Sequence, residues 1–124
     1  METSKAKRIR LCRVEEINDR RLLHQSKGFV LDQDGLSLFV IRKYSQFYAY
    51  LNRCPHTGVS LNWQPDVFLD YTEQFIQCST HAALFQVEDG LCIHGPCVGA
   101  KLQALELEQD KDMLYLRLPT QTVD

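Results

Sequence analysis

Apolar residues in this chain come in short runs, many with a two-residue period, and turn residues interrupt each run before a helical repeat is established. The clearest case is near the C-terminus, where Leu105 and Leu107 alternate with Glu106 and Glu108. Beyond a polar turn at Gln109 to Asp112, Leu114, Leu116 and Leu118 resume the alternation. A segment of that kind buries one face and solvates the other, which makes it a hairpin. Phe29 to Leu31 and Leu36 to Arg42 flank Asp34-Gly35, a pair that tolerates positive φ and favours a tight hairpin. Phe47 to Leu51, Phe75 to Gln77, Leu84 to Val87 and Leu91 to Ile93 read as further strands, the last after an Asp89-Gly90 turn. Only Val14 to Gln25 is expected to hold a helical turn. The pattern predicts an all-β chain.

At 124 residues the length suits one domain that can bury a core without disulfide staples. Hydrophobic residues at 44% and charged ones at 24% exclude a disordered chain. The stretch METSKAKRIRLCRV is basic and lacks an apolar segment, so no membrane anchor or export signal is expected and the cytoplasm is the expected compartment. Seven of the 14 basic residues fall within the first 21 positions, but the net charge of -2 and the lack of interleaved aromatics there argue for a solvated face and no nucleic-acid partner.

Five cysteines in such a chain point to thiols or metal ligands before a disulfide framework. Two of them stand beside histidines. "LNRCPHTGVSLNW" contains Cys54 and His56, and "IQCSTHAALF" contains Cys78 and His81, giving C-x-H, 21 intervening residues, then C-x-x-H. Two loops that each offer a thiolate and an imidazole make a four-ligand set for soft or borderline metals.

On these residues the sequence resembles the Rieske iron-sulfur family over roughly residues 29 to 118, including Gly95-Pro96, which matches a proline-bearing loop that covers the cluster in that family. The resemblance implies a [2Fe-2S] cofactor with Cys54 and Cys78 on one iron and His56 and His81 on the other. It also implies a Rieske-type antiparallel β-sandwich, one domain over 1–124, with a small cluster-binding subdomain at about 53–99, from Arg53 to Gly99. Replacing two thiolates by neutral imidazoles raises the reduction potential above that of all-cysteine ferredoxins. Pro55 would stiffen the first loop and Gly58 would permit its bend.

Finer positions narrow the expectation. High-potential relatives carry an extra cysteine in each loop, joined as a disulfide; Val59 and Thr80 stand there. The serine and tyrosine whose hydroxyls stabilise the reduced cluster are replaced by Ala83 and Phe85. Losing those donors predicts a potential on the order of -150 mV. The gap between the motifs exceeds the family's usual spacing, and the excess is placed in Asn62 to Gln74, a surface loop whose Trp63, Phe68 and Tyr71 would reshape the docking surface.

Other chemistries fit less well. Structural zinc uses the same ligand types but usually spaces them as C-x-x-C and H-x-x-x-H. A Cys-His nucleophile has no use for a duplicated pair. Cys12 is expected to be a small buried apolar residue, and Cys92 and Cys97 to shield the proline-bearing loop without forming a disulfide. His94 reads as an exposed loop histidine, and His24 has no ligand partner at useful spacing.

The function implied by the resemblance is a Rieske-type ferredoxin, a soluble one-electron carrier from a flavin-containing reductase to an oxygenase or similar acceptor, and not itself an enzyme. An electron-transfer subunit of a larger redox enzyme and a Cys2His2 zinc-binding or otherwise metal-dependent interaction module are the alternatives.

Overall fold

The computed structural model describes residues 7–17, 25–31, 35–55, 58, 60–62, 66–78 and 82–118. Nine strands, β1 (Lys7–Arg13), β2 (Ser26–Leu31), β3 (Leu36–Lys43), β4 (Gln46–Leu51), β5 (Phe75–Gln77), β6 (Leu84–Gln86), β7 (Cys92–His94), β8 (Ala104–Asp110) and β9 (Met113–Leu118), and one 3-10 turn at Val14–Glu16 make up its regular structure. Six strands form an antiparallel sheet in the order β1-β9-β8-β4-β3-β2, and three form a second sheet in the order β5-β6-β7. The fold is all-β and antiparallel, as the sequence pattern predicts, and no described helix is long and apolar enough to cross a membrane.

Two hydrophobic cores explain the layout, and β3 divides them. Leu38, Phe39, Val40 and Ile41 are all at most 1% exposed. Because successive side chains point to opposite faces, Leu38 and Val40 join Cys12, Ile17, Ala49, Leu114 and Leu116 in one core. Phe39 and Ile41 join Tyr50, Phe68, Ile76 and Phe85 in the other, beneath the three-stranded sheet. A strand buried on both faces reads as a continuous apolar run instead of an alternation. The buried Tyr50 hydroxyl donates to the Val87 carbonyl, linking β4 to the turn that follows β6.

The first hairpin closes where the sequence reading places it: Leu31 pairs with Leu36, and Gly35 takes φ +60° there, while Asp34 lies outside the described residues. Other boundaries differ from that reading. Pairing in the last hairpin continues through Gln109–Leu114 and Asp110–Met113, which leaves a two-residue turn with Lys111 at φ +58°. Polar Gln109 and Asp110 extend the strand because backbone pairing does not require apolar side chains. Among the described residues of the expected Val14 to Gln25 segment the helical turn is Val14–Glu16, after which Ile17 is buried; residues 18–24 lie outside the described residues.

The insertion at Asn62 to Gln74 is not a loose surface loop. Phe68 is 1% exposed and stacks on Phe39, with ring centroids 4.3 Å apart and an interplanar angle of 8°. Its ring also lies over Gly28, where a Cβ would meet Phe68 at 3.2 Å. Asp66 fastens the segment to the edge strand β2: its Oδ1 accepts the Gly28 N–H at 2.8 Å, and its carbonyl accepts the Ser26 hydroxyl at 2.6 Å. The expectation that Phe68 shapes a docking surface is therefore corrected, since it is a core residue. Tyr71 is 95% exposed, and Trp63 lies outside the described residues.

Candidate metal centre

Cys54 lies three residues beyond β4 and Cys78 directly follows β5, buried to 1% and 0% exposure within the same core. The backbone treats them alike. Four residues after each cysteine an amide returns to its carbonyl: Gly58 N–H to Cys54 O at 2.7 Å, and Ala82 N–H to Cys78 O at 2.7 Å. In both turns that fourth residue is left-handed, Gly58 at φ +81° and Ala82 at φ +58°. Glycine adopts this conformation without a steric cost, whereas alanine does so under strain. By sequence, each turn brackets one histidine, His56 or His81; both lie outside the described residues.

Asn52, a residue the sequence reading passed over, closes the first loop at its base. Its Oδ1 accepts the Leu61 N–H at 2.8 Å, its Nδ2 donates to Asn62 Oδ1 at 3.0 Å, and its backbone N–H donates to Ser37 O at 2.8 Å. An asparagine just beyond a strand was the available signal, since its short amide competes for nearby backbone groups. The second loop is closed by the Cys78 N–H on Ala83 O at 2.9 Å.

The Gly95-Pro96 loop packs onto the second of these turns, as a cover would. Gly95 has φ +107°, and a Cβ there would stand 2.8 Å from Ala83 Cα. Behind it, Cys97 Sγ donates to Cys92 Sγ at 3.1 Å and Cys92 Sγ to His94 O at 3.3 Å. Burial first, then the hydrogen bond to Cys92, pushes the Cys97 thiol up to about 12, and it also feels Cys54 and Cys78 electrostatically. All five cysteines are free of disulfides, as expected for Cys92 and Cys97. Val59, Thr80 and His24 lie outside the described residues, and His94 is exposed at the end of β7.

Cys12 stands apart on β1 in the other core, 4% exposed, where burial pushes its thiol up to about 11. The basic N-terminal stretch is partly neutralised by its own sheet. Arg8 meets Glu108 at 2.9 Å and lies 3.8 Å over the Tyr115 ring, while Arg13 meets Asp112 at 2.9 Å.

Among the described residues no group of three or more histidine, cysteine or acidic side chains is arranged to hold a metal ion. What they contribute is a pair of buried thiols at the heads of two matched turns. That donor chemistry fits a two-iron cluster held by one cysteine and one histidine per loop, because each turn presents one soft ligand and encloses one imidazole position.

Known proteins share this fold. The ferredoxin of carbazole 1,9a-dioxygenase from Nocardioides aromaticivorans IC177 superposes with a TM-score of 0.68 at 21% identity, over 89% of this chain and 96% of that one. The terminal oxygenase of carbazole 1,9a-dioxygenase from Novosphingobium sp. KA1 gives 0.74 at 18% identity, over 96% of this chain and 31% of that one. A sequence relative from Sinorhizobium fredii (strain NBRC 101917 / NGR234), named "Putative pterin-4-alpha-carbinolamine dehydratase", is 31% identical over 64 residues. That match covers 49% of this chain and 61% of the relative. The profile of the Rieske [2Fe-2S] domain matches residues 7–113, which is most of the sequence and takes in both cysteine turns and the loop that covers the second; the chain belongs to the Rieske [2Fe-2S] domain family.

Proposed function

We propose that this protein is a Rieske-type ferredoxin, a one-electron carrier that takes an electron from a flavin-containing reductase and delivers it to an oxygenase or a comparable acceptor. The single observation that carries the reading is the pair of matched turns headed by buried Cys54 and Cys78. Cys54 and Cys78 bind one iron, and His56 and His81 the other. The [2Fe-2S] cluster supplies a one-electron couple, and the protein by itself transforms no substrate. Asn52 and the Cys78–Ala83 bond fix the loop bases, so the thiols keep their positions whether or not a partner is bound.

The likeness to the ferredoxin of carbazole 1,9a-dioxygenase, at a TM-score of 0.68, supports the carrier reading. The structure of the reduced oxygenase–ferredoxin complex of carbazole 1,9a-dioxygenase, matched at a TM-score of 0.71 and 24% identity, supports an oxygenase as acceptor. In this reading residues 1–124 form one domain, and 53–99 its cluster-binding part. Five unbridged cysteines, two of them with sulfurs 3.1 Å apart, support a reducing compartment such as the cytoplasm.

Paramagnetic resonance of the dithionite-reduced protein tests the assignment. Wild type and Cys12→Ala show a Rieske-type signal, whereas Cys54→Ser and His81→Ala lose it. A signal that survives both ligand substitutions, or a colourless protein carrying zinc, refutes the reading.

A further inference from the structure

We infer that the end of the molecule bearing the two cysteine turns is a cationic docking face that receives an acidic surface of its redox partner; this rests on the carrier reading. All sixteen acidic side chains of the sequence lie outside residues 51–62, 75–87 and 90–105, the stretches of sequence that carry the two cysteines and the Gly95-Pro96 pair. Arg53 and Lys101 lie within them, both exposed, although the chain as a whole has a net charge of -2. The two line one open cleft of about 430 Å³ together with Cys54, Pro55 and Gly58. The Arg53 guanidinium reaches across the first turn, where a Cβ on Gly58 would stand 3.5 Å from its Nε.

Neither cation forms an ion pair among the described residues. Elsewhere Arg8, Arg13, Lys43 and Arg117 are each paired with a carboxylate. Three of the acidic residues near these segments in sequence are engaged, while Glu106, next after the last segment, is exposed on β8. Asp66 accepts the Gly28 N–H, Glu88 meets Lys43 at 3.1 Å, and Asp89 accepts the Leu91 N–H at 2.9 Å. Val98, 63% exposed on the covering loop, supplies an apolar contact. Cations without an ion pair among the described residues, with no carboxylate in the same segments, attract a negative surface and repel a positive one.

The test uses two haem proteins as electron acceptors, the acidic cytochrome b5 and the basic cytochrome c, with stopped-flow measurement of haem reduction by the reduced holoprotein at low ionic strength. Arg53→Gln/Lys101→Gln should slow transfer to cytochrome b5 about tenfold and speed transfer to cytochrome c, with both effects collapsing in 0.5 M salt. Arg10→Gln/Lys111→Gln removes the same charge from β1 and the β8–β9 turn and should leave both rates within about twofold of wild type. Unchanged transfer to cytochrome b5 in the first variant, or an equal change in the second, overturns the cationic face and leaves the carrier reading standing. A wild-type protein that reduces neither acceptor removes the carrier reading and this inference together.

Discussion

Gly95 approaches Ala83 so closely that a Cβ on the glycine would stand 2.8 Å from the alanine Cα and 3.0 Å from its Cβ. Two constraints act on the same residue, since its φ of +107° is also one that side chains rarely adopt. Gly95→Ala therefore combines backbone strain with an overpacked contact against backbone atoms that have little room to move. A loss of about 2–5 kcal/mol is expected. Urea unfolding should show a lower midpoint with an unchanged slope, and the visible chromophore should be lost at a lower urea concentration than in wild type.

The insertion makes a second prediction, because two of its aromatics occupy opposite environments. Phe68 is buried and stacked on Phe39, while Tyr71 is 95% exposed. Phe68→Ala should cost about 3–5 kcal/mol of unfolding free energy. Tyr71→Ala should change it by less than about 0.5 kcal/mol. Chemical denaturation of both variants checks the pair, and a large loss at Tyr71 would contradict the placement.

How far these features were legible in the sequence depended on whether chemistry or context decided them. The terminal hairpin was legible because one face of β8 and β9 meets solvent, so Leu105 and Leu107 alternate with glutamates. Leu38 to Ile41 was legible as a strand only because turns bound it; the apolar run could not say that two cores meet there. Cys54 and Cys78 stood out because paired thiol and imidazole residues are rare without a ligand to bind. Phe68 was misplaced because an isolated aromatic in a polar stretch has no period, and only the open backbone at Gly28 reveals where its ring goes. The strain at Ala82 could not be read at all, since nothing about an alanine announces a positive φ.

The buried thiols give a pH dependence with a definite sign. Burial raises the Cys12 thiol from its ordinary 9.0 to about 11 in the folded protein. The stabilisation is then fully present below pH 9 and is lost as pH climbs through about 11, because the unfolded chain releases its proton first. Burial moves Tyr50 the same way, so the wild-type urea midpoint should fall steadily above pH 9. Cys12→Ala should flatten that decline between pH 9 and 11 while retaining the chromophore. Alkylation of the unfolded, iron-stripped protein should tag all five cysteines, and a mass lower by about 2 Da, mapped to Cys92 and Cys97, would contradict the free thiols seen here.

Ala83 and Phe85 bear on the reduction potential. Both are fully buried, and the Ala83 carbonyl holds the Cys78 N–H at 2.9 Å, so the chain leaving the second cysteine turn offers no hydroxyl at either position. Relatives that resemble this chain but work at higher potential place a serine and a tyrosine there, whose donors favour the state with the extra electron. A hydrogen bond to a charged acceptor is worth about 1.5–3 kcal/mol, which for one electron converts to a rise of roughly 65–130 mV. Ala83→Ser and Phe85→Tyr should each raise the midpoint by an amount of that order, read by redox titration of the visible spectrum. The Ala83 site is crowded by Gly95, so the tyrosine variant supplies the independent reading. A midpoint unmoved in both, with the chromophore intact, would show that these positions do not set the potential.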